Sequence, residues 1–194
     1  MPYIEPAATA GKKRKRETKA STAKSSARKE DDSQARILLL ETQILESRQH
    51  YNNIATLLSI LKKQGDAADE TDILAAVALC RVFCRLMAAG SFAESRGSLE
   101  TELVITQWLK ERYREYTETI LGLLCGSGSE KYGSTCLTLL MRLVKEESAH
   151  LGHEGAWKPS GLFEHVVSSV LSADNDAVRE EFLAKFVNEY DDIR

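Results

Sequence analysis

Residues 37–61 decide the fold, and they read ILLLETQILESRQHYNNIATLLSIL. Apolar side chains recur in this stretch at alternating spacings of three and four residues, which is the pattern of a heptad seam along one face of a helix. One position of the seam is polar, Ser47. We therefore predict a single helix over about 33–64 that packs through this seam. The seam consists of Ile37, Leu40, Ile44, Ser47, Tyr51, Ile54, Leu58 and Leu61.

Five further segments have amphipathic helical periodicity. The first of them leaves only a narrow polar strip, formed by Arg81 and Arg85, so we predict that it is the most buried helix. The predicted helices cover about 72–89, 99–124, 130–151, a segment opened by Pro159 and Ser160, and a segment that Asp174 caps and that runs through Val178, Phe182, Phe186 and Tyr190. The other predicted caps are Thr71 and Ser98, and the predicted stops are Gly65 and Gly90.

These elements predict an all-α protein, since no segment has the sustained alternation of a strand. The lengths and order of about six helices favour an antiparallel helix-pair array over a right-angled bundle, and residues 176–179 are similar to the start of a HEAT-type helix. The sequence stops at Arg194 with no seventh helix to cover the last apolar face. We expect residues 33–194 to be part of a longer helical array that lacks its C-terminal continuation.

The first 32 residues differ sharply from the rest. They are rich in Lys, Arg, Ser, Thr and Ala and nearly free of large aliphatic side chains, so we predict a disordered basic tail. It carries two basic clusters at the spacing that the two pockets of a nuclear import receptor accept. The alternative is unspecific binding of polyanions such as RNA through phosphate contacts. The predicted nuclear localisation signal consists of Lys12, Lys13, Arg14, Lys15, Arg16, Arg28 and Lys29.

Charge and cysteine usage indicate an intracellular protein with two kinds of partner. Residues 1–29 carry nine Lys and Arg against two Glu, a net charge of +7, whereas residues 30–194 carry seventeen against twenty-seven Asp and Glu, a net charge of −10. The longest apolar run, residues 73–80, is too short to span a membrane, and the N-terminus has no signal peptide. Four cysteines fall in apolar helical patterns, which predicts free, buried thiols.

No pattern in the sequence carries a known reaction, so we predict that the chain is not an enzyme and has no catalytic, cofactor or metal site. Cys125, Cys136, His150 and His153 could supply zinc ligands, but ten residues lie between the two cysteines, instead of the two to four of a zinc site. The glycine-rich residues 126–133 lack the Gly-Lys-Ser/Thr ending of a phosphate loop and follow a helix.

The stretch 108–116 combines aromatic and basic side chains, the residue types that anchor protein interfaces. We take it as a candidate interaction surface beside the heptad seam, although inward packing of the aromatic rings is the more common arrangement. The seam itself is expected to dock within the chain. The candidate surface consists of Trp108, Arg112, Tyr113 and Tyr116.

Four stretches, residues 45–53, 81–86, 108–113 and 139–147, resemble the N-terminal half of nucleolar complex protein four. The resemblance extends over most of residues 33–194. It implies an armadillo- or HEAT-like fold, a place in the nucleolus within the nucleus, and a scaffold role in the small-subunit processome, in rRNA processing and in ribosome biogenesis.

The implied partners are nucleolar protein fourteen, other processome proteins, and pre-ribosomal RNA, which the chain would contact indirectly or through the basic tail. The family also carries a CCAAT-binding-factor-type domain, which would follow residue 194. The alternative from the residues alone is a generic nuclear helical adaptor in chromatin or transport.

Overall fold

The structure, a computed structural model, describes residues 31–62, 70–93, 100–126, 129–151, 161–173 and 175–188. Within these ranges the chain is helical and contains no strand. The all-α prediction is therefore confirmed. The helices are α1 (31–46), a 3-10 helix (Arg48–His50), α2 (Asn52–Leu61), α3 (Glu70–Ala88), α4 (Glu100–Cys125), α5 (Ser129–His150), α6 (Gly161–Ser172) and α7 (Asp176–Phe182), followed by a π-helix (Leu183–Val187).

The helices pack as successive pairs that form two rows. The pairs are α2 with α3, α4 with α5, and α6 with α7. One row contains α2, α4 and α6, and the other contains α3, α5 and α7, because each helix also contacts the helix two places along the chain. Each amphipathic helix buries its apolar face between its pair partner and its row neighbours. The predicted antiparallel helix-pair array is confirmed.

A continuous opening helix is the main error of the sequence-based prediction. The helix breaks at Ser47, whose backbone is extended (φ −152°, ψ 139°) and whose hydroxyl accepts a hydrogen bond from the Gln49 N–H at 3.3 Å. Serine competes with helical hydrogen bonding in this way, and it is the one polar position of the seam. Across the break, the Asn53 amide donates to Gln43 Oε1 at 2.9 Å.

The seam survives the break. Ile37 and Ile44 are buried on α1, and Ile54, Leu58 and Leu61 are buried on α2. The 3-10 turn therefore interrupts the helix without moving the apolar residues to the surface. The spacing of three and four predicts burial correctly, but it does not reveal that two helices share the seam.

α3 is the most buried helix of the described chain, as predicted, and Arg81 and Arg85 are its exposed strip. It ends at the predicted Gly90, which adopts φ +71°, a conformation that glycine adopts without strain. The Gly90 N–H donates to the Met87 carbonyl and the Ser91 N–H to the Leu86 carbonyl, both at 2.9 Å, which is the Schellman pattern.

Three helix boundaries or faces differ from the prediction. Thr71 is not a cap, because α3 already begins at Glu70. The cap of α7 is Asn175, one residue after Asp174, and its side chain accepts from the Val178 N–H. The helical periodicity of residues 99–124 predicts that Leu103 lies on the buried face of α4, but its side chain is exposed. The predicted positions Gly65, Ser98, Pro159, Ser160 and Tyr190 lie outside the described residues.

Candidate interaction surfaces

Tyr116, in the middle of α4, belongs to the core. Its side chain is fully buried, and its hydroxyl donates to the Ala76 carbonyl of α3 at 2.7 Å. Its ring lies 5.4 Å from that of Phe83. Tyr116 thus joins α4 to α3 and offers no surface to a partner.

Tyr113 also packs inward, against α3 and α5. Its ring makes edge contacts with Phe83 at 5.2 Å and with Phe92 at 5.7 Å. Its hydroxyl donates to Glu147 Oε1 of α5 at 2.7 Å. Burial and the neighbouring Glu147 carboxylate raise the pKa of Tyr113, so the phenol stays a neutral hydrogen-bond donor. Both tyrosines therefore adopt the alternative arrangement that the sequence left open, in which the aromatic rings pack inward.

Trp108 and Arg112 are the half-buried members of the candidate surface. The Arg112 guanidinium lies 5.8 Å from the centre of the Trp108 ring, a cation–π contact. Arg112 Nη1 also lies 2.7 Å from Glu115 Oε2, and Lys62 Nζ lies 2.5 Å from Glu115 Oε1. Glu115 therefore ties α2 to α4 and fixes Arg112 beside the tryptophan. This surface is organised before any partner binds, which lowers the entropy cost of binding.

A second surface lies at the start of α4 and was not predicted from the sequence. Leu103, Val104 and Ile105 are all exposed, with 64% of Val104 accessible. The run of three consecutive apolar residues was the signal available in the sequence, but such a run does not by itself predict exposure, since Val82, Phe83 and Cys84 of α3 are all buried. Glu102 precedes them, and its Oε1 lies 4.0 Å from Nη1 of Arg48 in the 3-10 helix.

A third surface lies between α1 and α3. Glu41 of α1 accepts two hydrogen bonds from Arg81 of α3, from Nε at 2.7 Å and from Nη2 at 2.5 Å. Leu38 of α1 is exposed beside this pair, and Leu39 is exposed on the same helix. The signal in the sequence was the run of leucines at 38–40, in which only Leu40 belongs to the seam.

The comparison with known families decides what kind of protein carries these surfaces. Residues 25–194 match the sequence model of a family described as nucleolar complex protein 4-like, TPR repeats. The chain belongs to this family. The resemblance to nucleolar complex protein four is therefore confirmed, and TPR repeats are antiparallel helix pairs like the armadillo and HEAT repeats expected from the sequence.

One relative of this nucleolar complex protein 4-like chain is an uncharacterized protein of Schizosaccharomyces pombe. The two are 27% identical over 157 residues, which cover 80% of this chain and 32% of the relative. The chain thus spans about a third of the length of the curated relative it matches. No solved structure matches the chain.

The described residues of this nucleolar complex protein 4-like chain form neither a metal site nor a membrane-spanning helix. No group of three or more His, Cys, Asp or Glu side chains there is arranged to hold a metal ion, and His153 lies outside them. None of the described helices is long and apolar enough to cross a membrane. The predicted localisation signal, residues 12–16 with 28 and 29, also lies outside the described residues.

All four cysteines are free, as predicted, but one is not buried. Cys80, Cys84 and Cys136 are buried, whereas Cys125, at the end of α4, is exposed. Burial raises the pKa of Cys136 to about 12, which keeps this thiol protonated and unreactive. The Cys80 and Cys84 sulfurs lie 4.0 Å apart, and their hydrogen bond together with burial raises the pKa of Cys80.

Proposed function

We propose that this chain is a non-catalytic scaffold in the nucleolus that acts in small ribosomal subunit assembly and pre-rRNA processing. The observation that carries the proposal is the family match, which extends over residues 25–194 and so includes every described helix. Paired helices in two rows support it physically, because such arrays present long surfaces along which several partners can bind.

The surfaces suggest which part of the chain binds each kind of partner. Trp108 and Arg112 form a preorganised anchor on the helical body, which suits a protein partner such as nucleolar protein fourteen or another processome protein. The basic residues of the tail suit an import receptor and phosphate contacts with pre-ribosomal RNA. The body, with its net charge of −10, is a poor match for RNA.

Affinity purification tests the proposed function. The tagged chain should recover small-subunit rRNA precursors and processome proteins, nucleolar protein fourteen among them, and should co-sediment with pre-ribosomes. Trp108→Ala should reduce protein recovery, whereas Arg114→Ala, at an exposed position of the same helix, should not. Recovery of chromatin or transport proteins without rRNA precursors would instead indicate a generic nuclear adaptor.

The tail should direct nuclear import. Replacement of Lys12, Lys13, Arg14, Lys15 and Arg16 by alanine, in a fluorescent reporter fused to residues 1–35, should abolish nuclear accumulation. The import receptor binds such clusters through their charges, so removal of five charges leaves only the smaller cluster, Arg28 and Lys29, to bind it. The measurement is the ratio of nuclear to cytoplasmic fluorescence.

A matched control is available between the two basic clusters. Lys19→Ala with Lys24→Ala removes two charges from the intervening segment and should leave import intact. Arg28→Ala with Lys29→Ala should weaken it. An unchanged nuclear signal after the fivefold replacement would show that the tail is not the import signal.

A further inference from the structure

The surface between α1 and α3 is a shallow groove. The α1 wall combines two apolar side chains, Leu38 and Leu45, with Glu41, Thr42 and Glu46, and the α3 wall consists of Arg81 and Arg85. Leu38 and Leu45 are seven residues apart, so the apolar wall extends over about two helical turns, or about 10 Å. Leu38 is 55% exposed and Leu39, on the outer flank of α1, is 57% exposed. The size and apolarity of the wall suit the side chains of one amphipathic helix.

The α3 wall of the groove presents positive charge to the solvent, whereas the α1 wall carries the exposed carboxylate of Glu46. In the Glu41–Arg81 ion pair the carboxylate is the buried member, with 10% of its side chain exposed, whereas 47% of the Arg81 side chain is exposed. The hydrogen bonds that Arg81 donates to the Glu41 carboxylate raise the pKa of Arg81, so this charge persists at any physiological pH. The negative charge of the pair lies beneath, and the positive charge lies at the rim.

Arg85, one turn after Arg81 on the same strip, adds a second cation. Among the described residues no carboxylate pairs with Arg85. Arg81, in contrast, pairs with Glu41, and Arg142 of α5 has its Nε 3.5 Å from Glu146 Oε1. An exposed guanidinium beside an apolar wall can bind a carboxylate in a bidentate geometry when a partner supplies one.

We propose that the α1–α3 groove binds an amphipathic helix of a partner protein, which places apolar side chains against Leu38 and Leu45 and an Asp or Glu against Arg85. A protein helix fits better than RNA. The apolar wall offers no ring on which a base could stack, and the Glu41 and Glu46 carboxylates lie at the same groove. The groove is a separate surface from the Trp108–Arg112 anchor on α4, and the proposal does not depend on the nucleolar role.

A peptide-display selection on the purified chain of residues 1–194 tests this proposal. The library consists of 16-residue helical peptides randomised along one face, with counter-selection on the double variant Leu38→Asp, Arg85→Glu. Enriched peptides should carry Leu, Ile or Phe at helical spacing together with Asp or Glu. The most enriched peptide, labelled with fluorescein, then serves as the probe in fluorescence anisotropy.

A charge swap distinguishes direct contact from an effect on folding. Arg85→Glu should weaken binding of the probe by at least about tenfold, and exchange of the peptide's acidic residue for Lys should restore binding to this variant. The matched control is Arg114→Glu on α4, which should bind the probe like the unmodified chain, with the same melting temperature as Arg85→Glu. Both arginines are exposed, so neither substitution disturbs the core.

Three results would overturn the proposal. The first is a selection that yields no peptide dependent on Leu38 and Arg85, and the second is enrichment of basic peptides. The third is tighter binding of a 12-nucleotide single-stranded RNA than of any peptide, with the RNA affinity lost in Arg85→Glu, which would make the groove a nucleic-acid site. Because the probe is a peptide and the protein is pure, none of these results would affect the test of pre-ribosome association.

Discussion

Ile54→Asp is expected to lower the free energy of unfolding by about 3–5 kcal/mol, a large part of the stability of a domain of this size. Ile54 has 0% of its surface exposed and lies in the seam of α2. An aspartate there either buries an unpaired carboxylate or opens the interface with α3 to water. Urea unfolding followed by circular dichroism measures the change. Ile44→Asp, on α1, should have an effect of the same order.

The controls are substitutions to the same residue on exposed positions nearby. Glu46→Asp and Gln49→Asp should change the free energy of unfolding by less than about 0.5 kcal/mol, because both side chains are exposed. If they cost as much as the seam variants, the register of the seam would be wrong. If only Ile54→Asp were severe, α1 would unfold separately from the rest of the array.

Phe83→Ala should be comparably severe, at about 3–5 kcal/mol. Phe83 is fully buried in α3, and its ring contacts those of Tyr113, Tyr116 and Phe92 at centroid distances of 5.2, 5.4 and 6.4 Å. Truncation to alanine removes the ring that joins α3 to α4 and leaves a cavity among three rigid aromatic side chains. Thermal and urea unfolding should both report the loss.

Two milder variants serve as comparisons for the cost of the cavity: one removes a single hydrogen bond of this cluster, and the other shortens an exposed side chain. Tyr113→Phe removes only the hydroxyl that donates to Glu147, and it should cost about 1 kcal/mol. Leu103→Ala, which shortens an exposed side chain of the same helix, should be close to neutral. A Phe83→Ala protein as stable as Leu103→Ala would contradict the packing described for α3 and α4.

The sequence predicts the helices well because their burial follows from periodicity. The α3 strip of Arg81 and Arg85, the Gly90 stop and the buried seam positions each depend on residues close in sequence. The break at Ser47 was not predictable in the same way. A single serine is compatible with a helix, and the break depends on how α1 and α2 pack against α3.

The candidate surfaces were only partly predictable. The composition of the stretch 108–116 identifies anchor-type residues, but it does not tell which rings face the core. Tyr116 is buried because Phe83 and the Ala76 carbonyl lie opposite it, and both belong to another helix. The α1–α3 groove could not be predicted from the sequence for the same reason, since the Glu41–Arg81 pair joins residues 40 positions apart.

The pairing of helices in rows also has a consequence for how this protein forms. Apart from the Arg48–Glu102 ion pair, the helix contacts described above join segments that are adjacent in the chain or next but one. Local contacts of this kind close short loops, and proteins built from them fold quickly and from more than one starting point. During synthesis, α2 can bury its apolar face as soon as α3 has left the ribosome, before α6 or α7 exists. Each new helix then adds to a surface that is already folded, and α3 completes its burial once α5 has formed.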